Sequence, residues 1–379
     1  MTYLQCLREI TDFDETKIIL ETKKLLIKEY GNLFIVKYDK NLCDMNDPDV
    51  KKCRGIILEK NTNKLVCVPP PKSEKIEMFN DIKIESTVYE EFIEGTMINI
   101  FKFDGKVYMA TRSCIDALCN FYSNKTFNSL FSEVIELSKF DKMEDNMNLS
   151  FVLQHPENTI VTQYEKPAIT LVYGITIDDG HVINYSLQDL KQLLIDKDAD
   201  LEFMIPKQYE VNTHLEVYDI INSMNHNEPG VILKNLESNY LRSKIWNQHY
   251  SYVRKLKGNS TSKKYMFLEL RQTNVINEYL KYFPDDAELF ETYRLELYDT
   301  TNKLFNFYQN WKVRKNSEGK HIHQKITEID YEYRPLCIDL HEAFKQTKII
   351  TDKRTVINYI KNLPIAKLLF VINYKYRTD

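Results

Sequence analysis

Three groups of residues have types and spacings that could do chemistry. His321 and His323 could ligate a metal ion, but no cysteine or carboxylate cluster at ligand spacing completes the set, so we assign no metal ligand and favour a solvated loop. Aromatic residues after Pro284 could stack on bases, although their helical spacing favours packing in a core. A basic run could follow an RNA backbone, although a solvated face is the default; it comprises Arg254, Lys255, Lys257, Lys263 and Lys264.

Glycine usage excludes two common kinds of nucleotide site. The chain of 379 residues holds only nine glycines. No two are spaced as G-x-G, and none begins a G-x-x-x-x-G-K run. Dinucleotide-binding and P-loop folds need such glycines to bring the backbone close to phosphate. If this chain handles nucleotides, it must therefore use another chemistry.

Composition restricts the class of protein further. The net charge of −4 gives no overall basic field, so any nucleic-acid contact must be a local patch. The seven cysteines are odd in number and contain no C-x-x-C, which favours reduced thiols in a cytoplasmic compartment. Apolar runs fall short of 18 residues, so we expect no membrane span. Abundant Asn, Ile and Lys would suit an AT-rich genome, such as that of a large DNA virus.

The elements that must position any site are mainly short strands in the first two thirds of the chain. The clearest is a hairpin, with strands at 97–103 and 106–111 joined by the turn Asp104-Gly105. Apolar periodicity predicts helices over 14–30, ended by Gly31, and over 115–140. Further strands are predicted at 34–36, 55–58, 65–68, 150–153, 159–163, 169–177 and 230–234.

The pattern changes after about residue 256. Helices are predicted from Pro284 to about 314, over 336–344 and over 353–363. Because strands and helices do not alternate, the fold class is α+β with antiparallel sheets. We predict two domains, residues 1–256 and a mostly helical domain at 257–379.

Segments of the first domain, taken in order, resemble the motifs of T4-type RNA ligases, which are covalent nucleotidyltransferases. The first is similar to the lead-in R-G-[IV]-x-F…P-x-K-F-F-N, and the second to the nucleophile motif K-x-D-G-S with its following strand. The third is similar to F-E-x-x-x-P-x-N-R-I-V, and the fourth to E-G-x-V-x-x followed by K-x-K-x-x-x-Y. In this sequence they are 53–59 with 69–72 and 78–80; 91–96 with 110–113; 151–161; and 229–234 with 244–250.

The resemblance implies a nucleotidyltransferase fold that needs no glycine-rich phosphate loop. In such enzymes a lysine amine attacks the α-phosphate of ATP and holds AMP covalently. Basic side chains balance the phosphates, and carboxylates fix the ribose and hold Mg²⁺. RNA then supplies the 5′-phosphate and 3′-hydroxyl that are joined. ATP and Mg²⁺ are the cofactors expected of an active member.

The sequence departs from the family pattern at the reacting groups. Phe92 stands in the place of the nucleophilic lysine, and a phenyl ring cannot attack phosphorus. Val152 stands in the place of the ribose-binding glutamate, and Trp246 in the place of a phosphate-binding lysine. Pro229 replaces the glutamate of the next motif, although Glu228 could take that role if the alignment slips by one residue. The resemblance retains as nucleotide-binding residues Arg54, Glu94 (for aspartate), Gly95, Lys234 and Lys244.

One other lysine could restore the nucleophile. Lys102 begins a literal K-x-D-G, which continues through Gly105. The alternation on both sides favours a strand that enters a hairpin turn, so Phe92 remains the preferred occupant of the nucleophile position.

Two functions follow from this resemblance. The favoured one is a catalytically impaired pseudo-ligase that serves as a scaffold for RNA, a nucleotide or a protein partner. The alternative is an active ATP-dependent RNA ligase that forms a lysyl-AMP on Lys102 or on a displaced lysine.

Overall fold

The protein was analysed as a computed structural model. It describes residues 7, 10, 12–79, 82–197, 201–235, 241–312, 318–319 and 325–377. His321 and His323, the candidate metal ligands, lie outside these residues. The chain divides into two compact units, Met1–Arg254 and Lys255–Asp379. The domain functions, and the boundary at 256/257, stay predictions.

The first sheet of the N-terminal unit is antiparallel, with the strand order β1-β2-β3-β4. Helix α1 precedes it and is capped by the Asp12 carboxylate, which accepts hydrogen bonds from the amides of Asp14 and Glu15. The predicted helix over 14–30 is wrong in its second half, because that segment pairs with β2 around Gly31 as strand β1. The bounds are α1 Phe13–Thr22, β1 Leu26–Tyr30, β2 Leu33–Lys37, α2 Pro48–Lys52, β3 Arg54–Glu59 and β4 Leu65–Cys67.

A second antiparallel sheet follows, with the strand order β10-β9-β8-β6-β7. Its β6–β7 hairpin confirms the predicted one, and Asp104 and Gly105 take the positive φ angles of 49° and 71° that such a turn requires. The bounds are β6 Thr96–Phe103, β7 Lys106–Ala110, α3 Phe127–Ser132, β8 Met147–Gln154, β9 Ala168–Asp178, β10 His181–Asn184 and α4 Leu187–Lys197.

Two predictions in this region are wrong. The helix expected over 115–140 shrinks to α3 and a short 3₁₀ turn, because Asp116 and Ala117 adopt positive φ angles that end regular structure. The strand expected over 159–163 is a loop, and the amides of Val161 and Thr162 bind the Glu94 carboxylate instead of a neighbouring strand.

The third sheet has the order β12-β11-β5 and two unlike faces. One face packs into an apolar core with helix α5, through Tyr89, Val231, Leu233 and Val217. Directly paired residues share a face, so the register places charged and aromatic side chains together on the other face. The bounds are β5 Thr87–Glu91, α5 Glu216–Asn222, β11 Gly230–Asn235 and β12 Leu241–Trp246.

The described part of the Lys255–Asp379 unit is helical. The long helix α9 buries Phe290, Leu297, Leu304 and Tyr308 along one side, so the aromatic residues Phe290 and Tyr308 pack in a core as their spacing indicates. The helices of the C-terminal half are α6 Gln248–Lys257, which contains the boundary between the units, α7 Lys263–Gln272, α8 Ile276–Tyr282, α9 Ala287–Lys312, α10 Arg334–Thr347, α11 Lys353–Asn362 and α12 Ile365–Asn373.

The predicted class, α+β with antiparallel sheets followed by helices, is confirmed. No single helix of the described residues is long and apolar enough to cross a membrane. The segments Lys353–Asn362 and Ile365–Tyr376 meet the length and composition criteria only as a pair, which is bent by 113°.

Candidate functional site

The polar face of the third sheet brings Phe92, Lys244 and Trp246 together. Phe92 directly follows β5, and its amide donates a hydrogen bond to the Gly230 carbonyl at 3.1 Å. Its ring centre lies 4.7 Å from that of Trp246, and the Lys244 Nζ lies 4.4 Å from the centre of the Phe92 ring. Tyr250 stacks on Trp246 with its ring centre at 5.8 Å. The residue in the family's nucleophile position therefore touches both residues of the last motif.

Lys244 lies in a strongly positive environment. Burial contributes most to lowering the pKa of its ammonium, and the positive charges of Arg242, Arg54, Arg254 and Lys40 follow. Together they bring the Lys244 pKa to about 6. At neutral pH the side chain is therefore mainly a neutral amine, held among fixed cations.

The arginines come from separate elements. Arg54 begins β3 and donates to the Pro70 carbonyl at 3.0 Å, while burial and the nearby charges of Arg242 and Arg112 lower its pKa to about 10. Arg254, on α6, lies 5.4 Å from the centre of the Trp246 ring. Such a cluster of guanidinium groups beside aromatic rings suits phosphate and a planar base.

Glu94 has a structural role beside this cluster. Its buried carboxylate accepts hydrogen bonds from the amides of Val161, at 2.9 Å and 3.1 Å, and Thr162, at 3.0 Å. Its carbonyl accepts from the Tyr164 hydroxyl at 2.8 Å. Burial raises the pKa of the Tyr250 hydroxyl, and the neighbouring Glu94 carboxylate raises it further. Glu94 thus ties the loop after β8 to the segment that carries Phe92.

Three glycines of the ligase-like segments adopt backbone conformations that only glycine takes readily. Gly55, Gly95 and Gly230 have φ angles of 93°, 150° and 136°. A Cβ at Gly55 would lie 2.7 Å from the Arg112 carbonyl oxygen, and one at Gly95 or Gly230 would overlap a carbonyl oxygen of the adjacent strand. Glycine at these three positions therefore lets neighbouring backbone segments approach closely.

Lys102 is occupied elsewhere. Its side chain leaves the β6–β7 hairpin towards the loop before β8, where Nζ lies 3.1 Å from the Asp145 carboxylate. It also donates to the carbonyls of Asp141 and Met143, each at 3.3 Å. This geometry matches the interpretation of its K-x-D-G as a hairpin turn.

Lys234 is buried and paired rather than exposed to a ligand. Its ammonium forms an ion pair with Glu90, which is also buried, and donates to the Val172 carbonyl at 2.9 Å. Both residues line a separate cavity of about 200 Å³ beside the start of α4. Lys234 pairs directly with Arg242 on the face that carries Lys244, but Glu90 neutralises its charge there.

The carboxylates that the motif resemblance points to are replaced or bound to backbone amides. Val152 supplies no oxygen where the resemblance expects glutamate. Glu94 is occupied by backbone amides, and the Glu228 side chain accepts from the Asn225 amide at 2.8 Å. Both line a cavity of about 220 Å³ with Phe92 and the exposed Glu91, whose carboxylate accepts from the Lys207 amide at 3.4 Å.

A second group could ligate a metal by proximity alone. Ligand atoms of Glu133, His155 and Glu157 lie within 4.8 Å of one another. The Lys125 ammonium already pairs with both carboxylates, at 2.8 Å and 2.5 Å, and His155 Nε2 lies 3.0 Å from Glu133. The lysine supplies the positive charge that a cation would bring, so the group is an ion-pair network.

Three lysines of the predicted basic run contact neighbouring side chains. Lys263 pairs with Asp286 at 2.6 Å and Lys264 with Glu296 at 2.8 Å, whereas Lys257 lies over the Phe283 ring.

The sequence analysis did not identify Arg242 as a site residue. The period-two spacing of Arg242, Lys244 and Trp246 on one strand could have indicated that they share a face.

No family model matches the sequence, and no curated protein matches it. The chain is similar to two solved forms of an archaeal ATP-dependent RNA ligase. One has 12% identity and a TM-score of 0.47, covering 92% of this chain and 85% of that one. The other has 14% identity and a TM-score of 0.46, covering 73% and 70%. An Aquifex aeolicus protein assigned as an ATP-dependent DNA ligase has 14% identity and a TM-score of 0.43, covering 96% and 78%.

Proposed function

We propose that the Met1–Arg254 unit is a ligase-like nucleotide-binding protein that does not form a protein adenylate. The observation that carries this proposal is the contact of Lys244 and Arg254 with the rings of Phe92 and Trp246, together with the positive charge of Arg54, which acts on Lys244. The guanidinium groups suit the phosphates of a nucleotide, the Lys244 amine can donate hydrogen bonds to them, and the exposed part of the aromatic stack suits the base. An RNA 5′-phosphate end carries the same two features, which makes RNA the proposed macromolecular partner.

The proposal that no adenylate forms rests on the residues that stand in the reacting positions of the ligase-like motifs. Phe92 has no nucleophilic atom, and Lys102 is held by Asp145 and two carbonyls away from the hairpin strands. The carboxylates that would hold Mg²⁺ are replaced or engaged with backbone amides. The groups that bind are thus present, whereas the groups that react are absent from these positions.

One observation favours a second function, adenylation on a displaced lysine. The low pKa of Lys244 leaves its amine largely neutral, and the neutral amine is the nucleophilic form. In that function Lys244 Nζ would bond to the α-phosphorus of ATP, the bond to the β-phosphate would break, pyrophosphate would leave and the amine proton would pass to water.

Fluorescence of Trp246 tests binding directly. Trp311 is the other tryptophan, so Trp311→Phe leaves Trp246 as the single indole. In that background, ATP and a 5′-phosphorylated oligoribonucleotide should each change the fluorescence saturably, and Lys244→Met should weaken both. Lys102→Met is the matched control and should bind as the parent does. A saturable response that depends on Lys102 and not on Lys244 would contradict the proposal.

Intact-mass spectrometry separates the two functions. After incubation with ATP and Mg²⁺ and denaturation, the proposal predicts an unmodified mass. A covalent adenylate lost in Lys244→Met would establish the displaced nucleophile, and one lost in Lys102→Met would establish the active ligase first considered from the sequence.

A further inference from the structure

The segment between β7 and α3 holds two cysteines, Cys114 and Cys119, in one small cluster. Cys119 Sγ lies 3.6 Å from the hydroxyl oxygen of Thr111, and the Cys114 amide donates to that same oxygen at 3.1 Å. The Cys119 thiol also hydrogen-bonds to the thiol of Cys114. The Thr111 hydroxyl and the two thiols therefore meet within one turn of the chain.

The backbone between the cysteines turns back on itself. Asp116 and Ala117 take positive φ angles of 61° and 51°, which residues other than glycine adopt mainly in tight turns. The carbonyls of Cys119 and Ala117 then accept from the amides of Phe127 and Asn128, at 2.8 Å and 3.1 Å. Hydrogen bonds to the start of α3 thus hold the turn that brings the second cysteine back to the first.

Strand β1 contacts the same segment through its side chains. Lys28 and Tyr30 are two positions apart on this strand, so they project from the same face. Lys28 Nζ lies 3.8 Å from Cys114 Sγ, and the Tyr30 hydroxyl donates to the Asp116 carboxylate. The cysteine segment is therefore held by the first sheet as well as by α3.

The two sulfurs differ in how well solvent reaches them. Cys119 is half-buried, so a small oxidant in solution reaches it directly. The remaining cysteines of the described residues are buried: Cys43, Cys53, Cys67, Cys114 and Cys337. Burial raises the pKa of the Cys119 thiol, while the Thr111 hydrogen bond and the Lys28 charge act in the opposite direction. The cluster thus offers one accessible thiol with a second thiol directly behind it.

We propose that Cys114 and Cys119 form an oxidisable dithiol, which a small peroxide converts to an intramolecular disulfide. First the Cys119 sulfur attacks one peroxide oxygen, the O–O bond breaks, and a sulfenic acid and water form. The Cys114 sulfur then attacks the Cys119 sulfur, the S–O bond breaks, an S–S bond forms and a second water leaves. The two sulfurs lose two electrons, which the peroxide takes up as its oxygens become water.

Treatment of the reduced full chain with hydrogen peroxide, under native conditions, tests this proposal. Free thiols are then labelled with a maleimide in denaturant and counted by mass spectrometry. The parent should lose two labelled positions, peptide mapping should place one disulfide between Cys114 and Cys119, and dithiothreitol should restore both positions. The dithiol is independent of the proposed nucleotide site, so this result and the Trp246 fluorescence assay can fail separately.

Single variants separate the two steps. Cys119→Ser should leave Cys114 free for labelling, because the accessible thiol is gone. Cys114→Ser should stop at the Cys119 sulfenic acid, which dimedone traps, because the second thiol is gone. Cys43→Ser is the matched control: it changes another buried cysteine and keeps a donor for the Lys24 carbonyl, so its Cys114–Cys119 disulfide should form as in the parent.

Three results would overturn the inference. Oxidation of Cys119 to a sulfinic acid while Cys114 stays a free thiol would show that the second sulfur is out of reach. A disulfide that joins either residue to a different cysteine would show that the two are not partners. Both thiols remaining free, in peroxide that oxidises free cysteine in the same solution, would show that the cluster is not open to oxidation.

Discussion

Lys244→Met should stabilise the protein while it weakens ligand binding. In the folded chain the Lys244 pKa is about 6, against its usual value of 10.5. Between these values the unfolded chain binds a proton that the folded chain does not, so the parent protein gains stability as pH rises through this window. Methionine has a similar volume and no charge, so the variant avoids the cost of burying the amine among cations.

The difference between the two pKa values sets an upper limit on the gain. At pH 7 the gap from 10.5 is 3.5 pH units, which corresponds to about 5 kcal/mol in the free energy of unfolding. Lys244 is partly exposed, and solvent near its ammonium reduces the penalty, so we expect a gain of roughly 1–3 kcal/mol. For a unit of this size that corresponds to a melting temperature about 2–10 °C higher.

Thermal unfolding of the parent and variant between pH 6 and pH 9.5, in buffer without phosphate, measures this effect. The advantage of Lys244→Met should be largest near pH 6 and shrink as pH rises. Lys102→Met is the matched control, because it removes an ion pair whose Asp145 carboxylate is exposed, and it should lower stability by about 1 kcal/mol. An advantage of Lys244→Met that does not change with pH, or a loss of stability at pH 6, would refute the charge environment assigned to Lys244.

Three further predictions concern residues of the strands and loops that hold Phe92 and Lys244 in place. Removing one partner of the buried ion pair, by Glu90→Gln or Lys234→Met, should lower the free energy of unfolding by about 3–5 kcal/mol, as measured by chemical denaturation. The double variant should recover most of this loss, and strictly additive losses would contradict the pairing. Gly95→Ala should reduce the yield of folded protein far more than Gly105→Ala, which has open space around it, as measured by soluble expression and melting temperature. Glu94→Ala should cost about 2–4 kcal/mol and expose the following loop to limited proteolysis; an unchanged cleavage pattern would show that the carboxylate does not hold the loop.

The strands of the ligase-like segments were predictable because their signals are local. The β6–β7 hairpin follows from alternation and the Asp104-Gly105 turn, and β8, β9 and β11 follow from apolar runs. The errors arose where tertiary contacts override the pattern. Residues 26–30 have helical periodicity, yet they extend to pair with β2. The amides of Val161 and Thr162 are taken by Glu94, a residue distant in sequence, so the expected strand does not form.

The candidate site was only partly predictable for the same reason. Arg54 and Lys244 follow from the motif resemblance, and the positive charge of Arg54 acts on Lys244, while their role in nucleotide binding stays a prediction. Lys234 resembles a ligand-binding residue in sequence, but its partner Glu90 lies on another strand, so the ion pair could not be anticipated from either segment. The low pKa of Lys244 depends on burial and on charges from several elements, which sequence spacing does not encode.

A crystal structure of the protein with ATP tests the central claim most directly. The account predicts the phosphates within hydrogen-bonding distance of Lys244 and Arg54, the base against Trp246, and no bond between the α-phosphorus and any lysine. Phosphates bound beside Lys102, or an AMP joined covalently to a lysine, would contradict it.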